Sequence, residues 1–227
     1  MAPVFKAAFT ALCCLAAAAS ANPIASHHRH QQRTPAPAAA DSQTRECPAS
    51  GEKQRITAPE SWNVYPQKPD ISRGPARGFE VDAFNNQSQL EQVFVFRGIP
   101  KQAKTCTLGW SQNNHTDRVF LVDGAAALVN VRPLSGLPTP SAGGDAARGE
   151  GITYAAIEPF DDAKKEDELN PDFTLWDDLD DDWDHIAGDV DCAEELAFKA
   201  ALRDPQVKSH IYLESDEHNG IWLEYSC

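Results

Sequence analysis

The sequence predicts an all-β fold, a β-sandwich of about nine short antiparallel strands interrupted by one acidic loop, with a barrel as the alternative. Three observations carry that expectation. Residues 91–112 form the densest apolar stretch beyond the N-terminal segment and show period-two patterning. Gly, Pro, Asn and Asp punctuate short β-branched and aromatic runs along the chain. Helix-like patterning is confined to one Ala-rich stretch at residues 191–205.

In chain order, the first 21 residues carry Lys6, the apolar run Ala7 to Ala18, and Ala19-Ser20-Ala21, the pattern of a signal peptide cut after Ala21. The run is shorter than the roughly 20 apolar residues a bilayer span needs, and no later stretch is long enough either. No apolar C-terminal tail is present for a lipid anchor. A secreted, extracellular product without a membrane span is expected. Residues 22–46, with Ile24 the only large apolar side chain, read as a disordered lead-in or propeptide. His27, His28 and His30 there are either weak transition-metal ligands or part of a solvated polar tail. From Cys47 to Cys227 the composition becomes globular, with the acidic loop at about 160–191.

Residues 55–66 read as a first short strand, placed at a sheet edge by Pro59 and Pro66. Residues 67–78 are a loop, and Phe79 to Phe84 alternate as a half-buried strand. Two strands joined by a turn at Gly98 and Pro100 follow, a central hairpin. In its first arm Val93 and Val95 share one face and Phe94 and Phe96 the other, which suits a strand covered on both sides. In its second arm Cys106, Leu108 and Trp110 alternate with Thr105, Thr107 and Gly109. Residues 118–123 and 127–132 flank Gly124 as a further β pair, residues 133–151 are a flexible connection, and residues 152–157 return as a short strand. At 191–205 two signals conflict. Asp191 and Glu194 imitate a capping box, whereas Leu196, Phe198, Ala200 and Leu202 share strand parity; the strand is preferred. Residues 210–214 and 220–227 close a C-terminal meander that turns at Asp216 to Gly220.

Cys13 and Cys14 leave with the signal peptide, so four cysteines remain, an even number that argues for two disulfides in an exported chain. Of three connectivities, parity favours Cys106 with Cys227, because each shares a face with apolar neighbours, and this leaves Cys47 with Cys192. Paired CxxC or His-x-x-x-His spacings that would signal zinc are absent from the sequence. Asn86-Gln87-Ser88 and Asn114-His115-Thr116 are N-glycosylation acceptors, placing Asn86 and Asn114 on the surface.

The formal charge is −14, and it is concentrated: residues 160–195 hold sixteen Asp and Glu against Lys164 and Lys165. Without a basic patch to neutralise phosphates, nucleic acid is excluded as a partner, and so is an anionic membrane surface.

Several segments together resemble the C-terminal domain of the fungal But family: Ile-Thr-Ala-Pro-Glu at 56–60, Val-Tyr-Pro at 64–66, Phe-Arg-Gly-Ile-Pro at 96–100, Ala-Lys-Thr-Cys-Thr-Leu-Gly-Trp at 103–110, and the terminal Tyr-Ser-Cys. The family is named for a fission-yeast protein that binds the activating enzyme of a ubiquitin-like modifier. The resemblance covers about residues 52–227 and rests on structural motifs. It implies a compact extracellular β domain of fungal origin with no reaction attached. A disulfide-bonded, exported chain would not meet a cytosolic activating enzyme, so that partner is not carried over.

Chemistry is concentrated in the acidic stretch, where Asp178, Asp180, Asp182 and Asp184 alternate as calcium-binding oxygens do. An EF-hand is rejected, since Trp183 stands at its sixth position and Asp189 at its twelfth. An irregular calcium site is the one cofactor the spacing allows; the alternative is a solvated loop whose Trp176, Leu179 and Trp183 tuck against the sheet. Asp184 beside His185 offers an acid-base pair, but no GxSxG or HExxH accompanies it, and a non-enzyme is expected over a glycoside hydrolase. Trp110 and Trp222 are assigned to the core. Trp62, Trp176 and Trp183 lie in loops or edges, where exposed rings stack on sugars. The leading expectation is therefore a module binding cell-wall polysaccharide through Trp62, Trp176 and Trp183. The alternative is a module binding an extracellular protein through the acidic loop.

Overall fold

The computed structural model of the chain describes residues 45–124, 126–138, 152–162 and 168–227. The expected signal peptide, the three histidines at 27, 28 and 30, and most of the 22–46 lead-in lie outside these residues. Eleven strands form two antiparallel sheets. They are β1 (Gln54–Thr57), β2 (Glu60–Val64), β3 (Gly78–Phe84), β4 (Gln87–Arg97), β5 (Thr105–Gln112), β6 (Phe120–Gly124), β7 (Val129–Pro133), β8 (Trp183–Val190), β9 (Glu195–Leu202), β10 (Ser209–Glu214) and β11 (Gly220–Ser226). One sheet runs β1-β11-β5-β8; the other runs β6-β10-β3-β4-β9-β7, with β2 added against β4. The expected all-β sandwich is the observed architecture.

The main core lies between the sheets. Ile56, Leu108, Trp110, Ile221, Leu223 and Tyr225 of the smaller sheet meet Phe79, Val81, Phe94, Phe96, Phe198, Ile211 and Leu213 of the larger. Phe94 stacks on Phe198 at 5.4 Å, and Phe173 on Trp110 at 4.4 Å. Val93 and Val95 point the other way and join Trp62, Val64, Ala197 and Ile157 in a second cluster on the outer face of the larger sheet. The two-sided burial expected of residues 93–96 follows from this, since β4 is sandwiched between both clusters.

Several expected elements take a different form. The three expected local pairings, 91–97 with 105–112, 118–123 with 127–132, and 210–214 with 220–227, are not hairpins. β4 and β5 lie in different sheets, as do β10 and β11, while β6 pairs β10 and β7 pairs β9. Only β3 and β4 join consecutively through a tight reversal, where Asn85 and Asn86 both take positive φ (54° and 61°) as a type I′ turn requires. Turn residues mark where a chain reverses and not which edge it then meets. The single first strand is two: Ala58 at φ 49° and Pro59 break it, sending β1 to one sheet and β2 to the other. Residues 152–157 hold no strand. Tyr154–Ile157 form a helical turn, α1, capped by Thr153, whose hydroxyl accepts from Ala156 N at 3.1 Å. The acidic loop ends earlier than expected, because β8 starts at Trp183. The strand preferred over a helix at 191–205 is β9.

Both disulfides form, but with other partners: Cys106 joins Cys192 and Cys47 joins Cys227. Parity alone misleads here because Cys106 has two neighbouring strands. Its cross-strand partners are Tyr225 on β11 and Val190 on β8, and the thiol that meets it lies two residues past Val190. Cys227, at the far end of β11, meets the exposed chain before β1.

The outer cluster carries an ionic network. Lys199, 5% exposed, sits on β9 with its Nζ 3.2 Å from Glu91 Oε2 and in contact with Asp161 Oδ2. Arg132 grips Asp161 through Nε and Nη2 at 3.0 and 2.9 Å and reaches Glu168 at 3.1 Å. Burial works against the Lys199 ammonium, yet Glu91 and Asp161 more than offset it and hold its pKa above the ordinary lysine value. Burial likewise opposes the Asp161 carboxylate, and Lys199 with Arg132 prevail and lower its pKa.

Candidate functional site

Strand β8 forms one edge of the smaller sheet and follows the most acidic part of the chain. It pairs with β5 from Gln112↔Trp183 to Cys106↔Val190, with an irregularity between Leu108 and Gly109. Gly109 has to lack a side chain. A Cβ there would lie 2.2 Å from the Trp222 ring and 2.4 Å from the His185 carbonyl oxygen. Trp222 thus lies flat across the outer face, with the Arg55 guanidinium 3.9 Å above it.

At the end of this sheet Trp183 borders a cleft of about 350 Å³, lined also by Arg55, Thr57, Ser111, Gln112, Asn113, Asp182, Asp184, Glu217 and His218. Trp183 is 48% exposed. Its ring meets Trp176 edge-on at 5.9 Å, which fixes its orientation. Arg55 is held by both Asp184 carboxylate oxygens at 3.0 Å and by Glu224 at 3.4 Å. The opposite rim is set by Asp216, whose Oδ1 accepts from the His218 and Asn219 amides at 2.7 and 2.8 Å. Asn219, 3% exposed, accepts from Asn113 N at 2.7 Å and so ties that turn to the end of β5.

The structure separates the expected sugar-stacking residues. Trp183 is exposed, but in a strand and not in a loop. Trp62 is 2% exposed within the outer core cluster, a correction with a simple cause: the cluster on β2's face is covered by Leu134, Leu137, Ile152, Tyr154, Ile157 and Phe160, and β2 is not a bare edge. Trp176 is half-buried against the main core and supports Trp183 from below. The four aspartates expected to bind calcium do not converge. Asp184 is paired with Arg55, Asp178, Asp180 and Asp182 are exposed, and among the described residues no group of three or more His, Cys, Asp or Glu is placed to hold a metal ion. Asp184 and His185 also face opposite ways. The imidazole stacks on Trp110 at 3.7 Å, and its Nε2 is buried without a partner. Asn86 is exposed at the β3–β4 turn, and Asn114 sits half-buried beside the cleft, its Nδ2 donating to Asp117 at 3.0 Å.

Arg118 carries no local sequence signal. Its guanidinium donates to the carbonyl oxygens of Asn113 (2.5 Å), Asp181 (3.3 Å), Trp176 (3.4 Å), Asp177 (3.1 Å) and Leu179. One fork therefore gathers the 176–181 turn that carries Trp176 and leads into Trp183. Burial lowers the Arg118 pKa, with Asp177 and Asp180 opposing that shift. Replacing Arg118 by Ala removes this donor from the Asn113, Asp177 and Leu179 carbonyls, while Gln112 Nε2 still reaches those of Trp176 and Asp181, and is expected to cost about 1–3 kcal/mol. Amide exchange should accelerate across 176–183. Lys is expected not to rescue, since a point ammonium cannot span five acceptors.

His185 gives the domain a pH dependence. Burial lowers its pKa to about 4, with Asp184 opposing only weakly. Between the unfolded value near 6.5 and about 4, the unfolded chain takes up a proton that the folded chain refuses, so stability falls as pH drops through that window and levels off below it. His185→Phe should flatten this part of a stability-against-pH curve read by urea unfolding.

Comparison with known protein families, curated proteins and solved structures finds no match to this chain.

Proposed function

We propose that the chain is a secreted, But-like, non-catalytic module that binds cell-wall polysaccharide at the Trp183 cleft. The observation that carries this reading is the indole itself: a large apolar ring, 48% exposed, fixed by a second ring and surrounded by hydrogen-bonding side chains. Sugars present one apolar face and a rim of hydroxyls, so a flat ring with polar groups beside it meets both requirements. Two disulfides fit an oxidising, extracellular setting. No helix among the described residues is long and apolar enough to cross a membrane.

A protein partner at the same edge is the second reading. Ile186 (74% exposed) and Leu179 (40% exposed) lie beside the exposed carboxylates of residues 178–182. Retention of the purified domain on insoluble chitin, β-glucan and mannan, with and without calcium, separates the two. Trp183→Ala is expected to cut retention about tenfold, given a stacking contribution of about 1 kcal/mol plus the lost burial. Trp62→Phe should leave it unchanged. Retention indifferent to Trp183 would move the function to the acidic face.

A further inference from the structure

We infer that Asn86 carries an N-linked glycan whose first N-acetylglucosamine packs on the ring of Phe84, so that the sugar becomes part of the β3–β4 turn; this rests on the exported reading of the chain and not on the glycan-binding one. Phe84 ends β3 and pairs with Gln87 across the turn. Val81 and Ala83 of the same strand face the main core, whereas Phe84 turns to the other face and is 49% exposed. Asn86, also exposed, lies two residues further on, at most about 7.6 Å away from Cα to Cα. Asn85 and Asn86 hold the reversal with φ of 54° and 61°, a conformation that asparagine tolerates. Gln89 Nε2 donates to the Phe84 carbonyl oxygen at 2.9 Å and Gln67 Nε2 to that of Ser88 at 3.2 Å, so a sugar on Asn86 leaves from a braced turn. N-acetylglucosamine has an apolar C–H face, and an aromatic ring beside its point of attachment is the surface that face fits.

The chemistry of transfer fixes the order of events. Asn86 Nδ2 attacks the anomeric carbon of a lipid-diphosphate-linked oligosaccharide; a C–N bond forms, the C–O bond to the diphosphate breaks, Nδ2 gives up one proton and the lipid diphosphate leaves. The acceptor Asn86-Gln87-Ser88 is read through the hydroxyl of its third residue, yet Ser88 Oγ is buried in the folded domain, without a hydrogen-bond partner. Transfer therefore precedes closure of the β3–β4 hairpin, and the sugar comes to rest on Phe84 as the strands pair. Asn114 has no such platform. The residue two before it is Gln112, 2% exposed, and its own carboxamide accepts from Thr116 N at 3.1 Å and donates to Asp117 at 3.0 Å. The Asn86 glycan is also distinct from any ligand of the cleft. β3 runs about 20 Å from Phe84 to Gly78, and it is Gly78 that pairs with Glu214, the neighbour of Asn219 at the cleft's end of the sheet.

The test expresses the full chain in yeast, recovers the protein from the medium and maps its peptides by mass spectrometry after enzymatic deglycosylation, which converts a glycosylated Asn to Asp. Asn86 is expected to be converted. Urea unfolding then compares secreted wild type, Ser88→Ala, Phe84→Ala and the variant carrying both changes, a cycle that isolates the coupling between sugar and ring. Ser88→Ala abolishes the acceptor but keeps Asn86, and the hydroxyl it deletes makes no hydrogen bond, so its effect on the protein itself is small. Loss of the glycan should raise the unfolding constant about fivefold where Phe84 is present and leave it unchanged where position 84 is Ala. Unmodified Asn86 in protein from the medium overturns the site, and an equal loss in both backgrounds overturns the packing on Phe84. A chain that never reaches the medium overturns the exported reading and the site with it.

Discussion

Lys199→Met is expected to destabilise the domain by about 3–5 kcal/mol, because it removes the ammonium from between two buried carboxylates. Glu91 suffers most. Its Oε2 has no hydrogen-bond partner, so its compensation in this buried site is the charge of Lys199 at 3.2 Å. Asp161 keeps Arg132 and is affected less. A Lys199→Met, Glu91→Leu double variant removes both charges together and should recover most of the loss, as apolar replacements of buried pairs do. Urea midpoints at pH 7 read both. A loss below about 1 kcal/mol in the single variant would mean that water reaches the pair. The Asp161 contribution is present above its unfolded pKa and disappears as pH falls through its lowered folded value, whereas that of Lys199 disappears only as pH rises through its raised value.

Replacing Cys106 and Cys192 together by Ala is expected to cost roughly 2–5 kcal/mol, the range for a bridge closing a long loop. The bridge joins positions 86 residues apart, and Cys106 is 1% exposed within the main core. It also fastens β8 beyond its last pairing with β5, so the lost constraint falls on the strand that carries Trp183. Accordingly, the reduced variant should show faster amide exchange in β8 than in β4 and β9 before global unfolding. Uniform exchange across the sheets would contradict that placement.

The extent to which the fold was legible follows from which forces are local. Alternation identified β3, the core-facing parity of β5 and the two-sided burial of β4, because burial acts residue by residue. Pairing was not legible. Leu108 meets β11 and β8, strands far away in sequence, and nothing in the turn at Gly98 and Pro100 tells β5 to leave β4 for another sheet. The same limit explains the disulfides, since parity says which way Cys106 faces and not which neighbour supplies the partner. At the site, Trp183 was visible as an aromatic residue in a polar setting, but Trp62 resembled it, because Leu134, Ile152 and Ile157, which cover it, lie far from it in sequence. Arg118 left no local signal at all: its partners are main-chain carbonyls up to 63 residues away, and any sequence supplies carbonyls. The aspartates were legible as a spacing and not as a set of neighbours. Their alternation resembles a ligand set, yet one is drawn to Arg55 while the others face water.

The most direct measurement is acrylamide quenching of tryptophan fluorescence with and without soluble oligosaccharides of glucosamine and N-acetylglucosamine. Of the five indoles, three are 2% exposed, Trp176 is half-buried, and Trp183 is 48% exposed. The readily quenched component should therefore vanish in Trp183→Phe. A bound oligosaccharide should shield that component in the wild-type domain. A Trp183 signal that stays fully quenchable at saturating concentrations of both sugars would contradict a glycan-binding cleft.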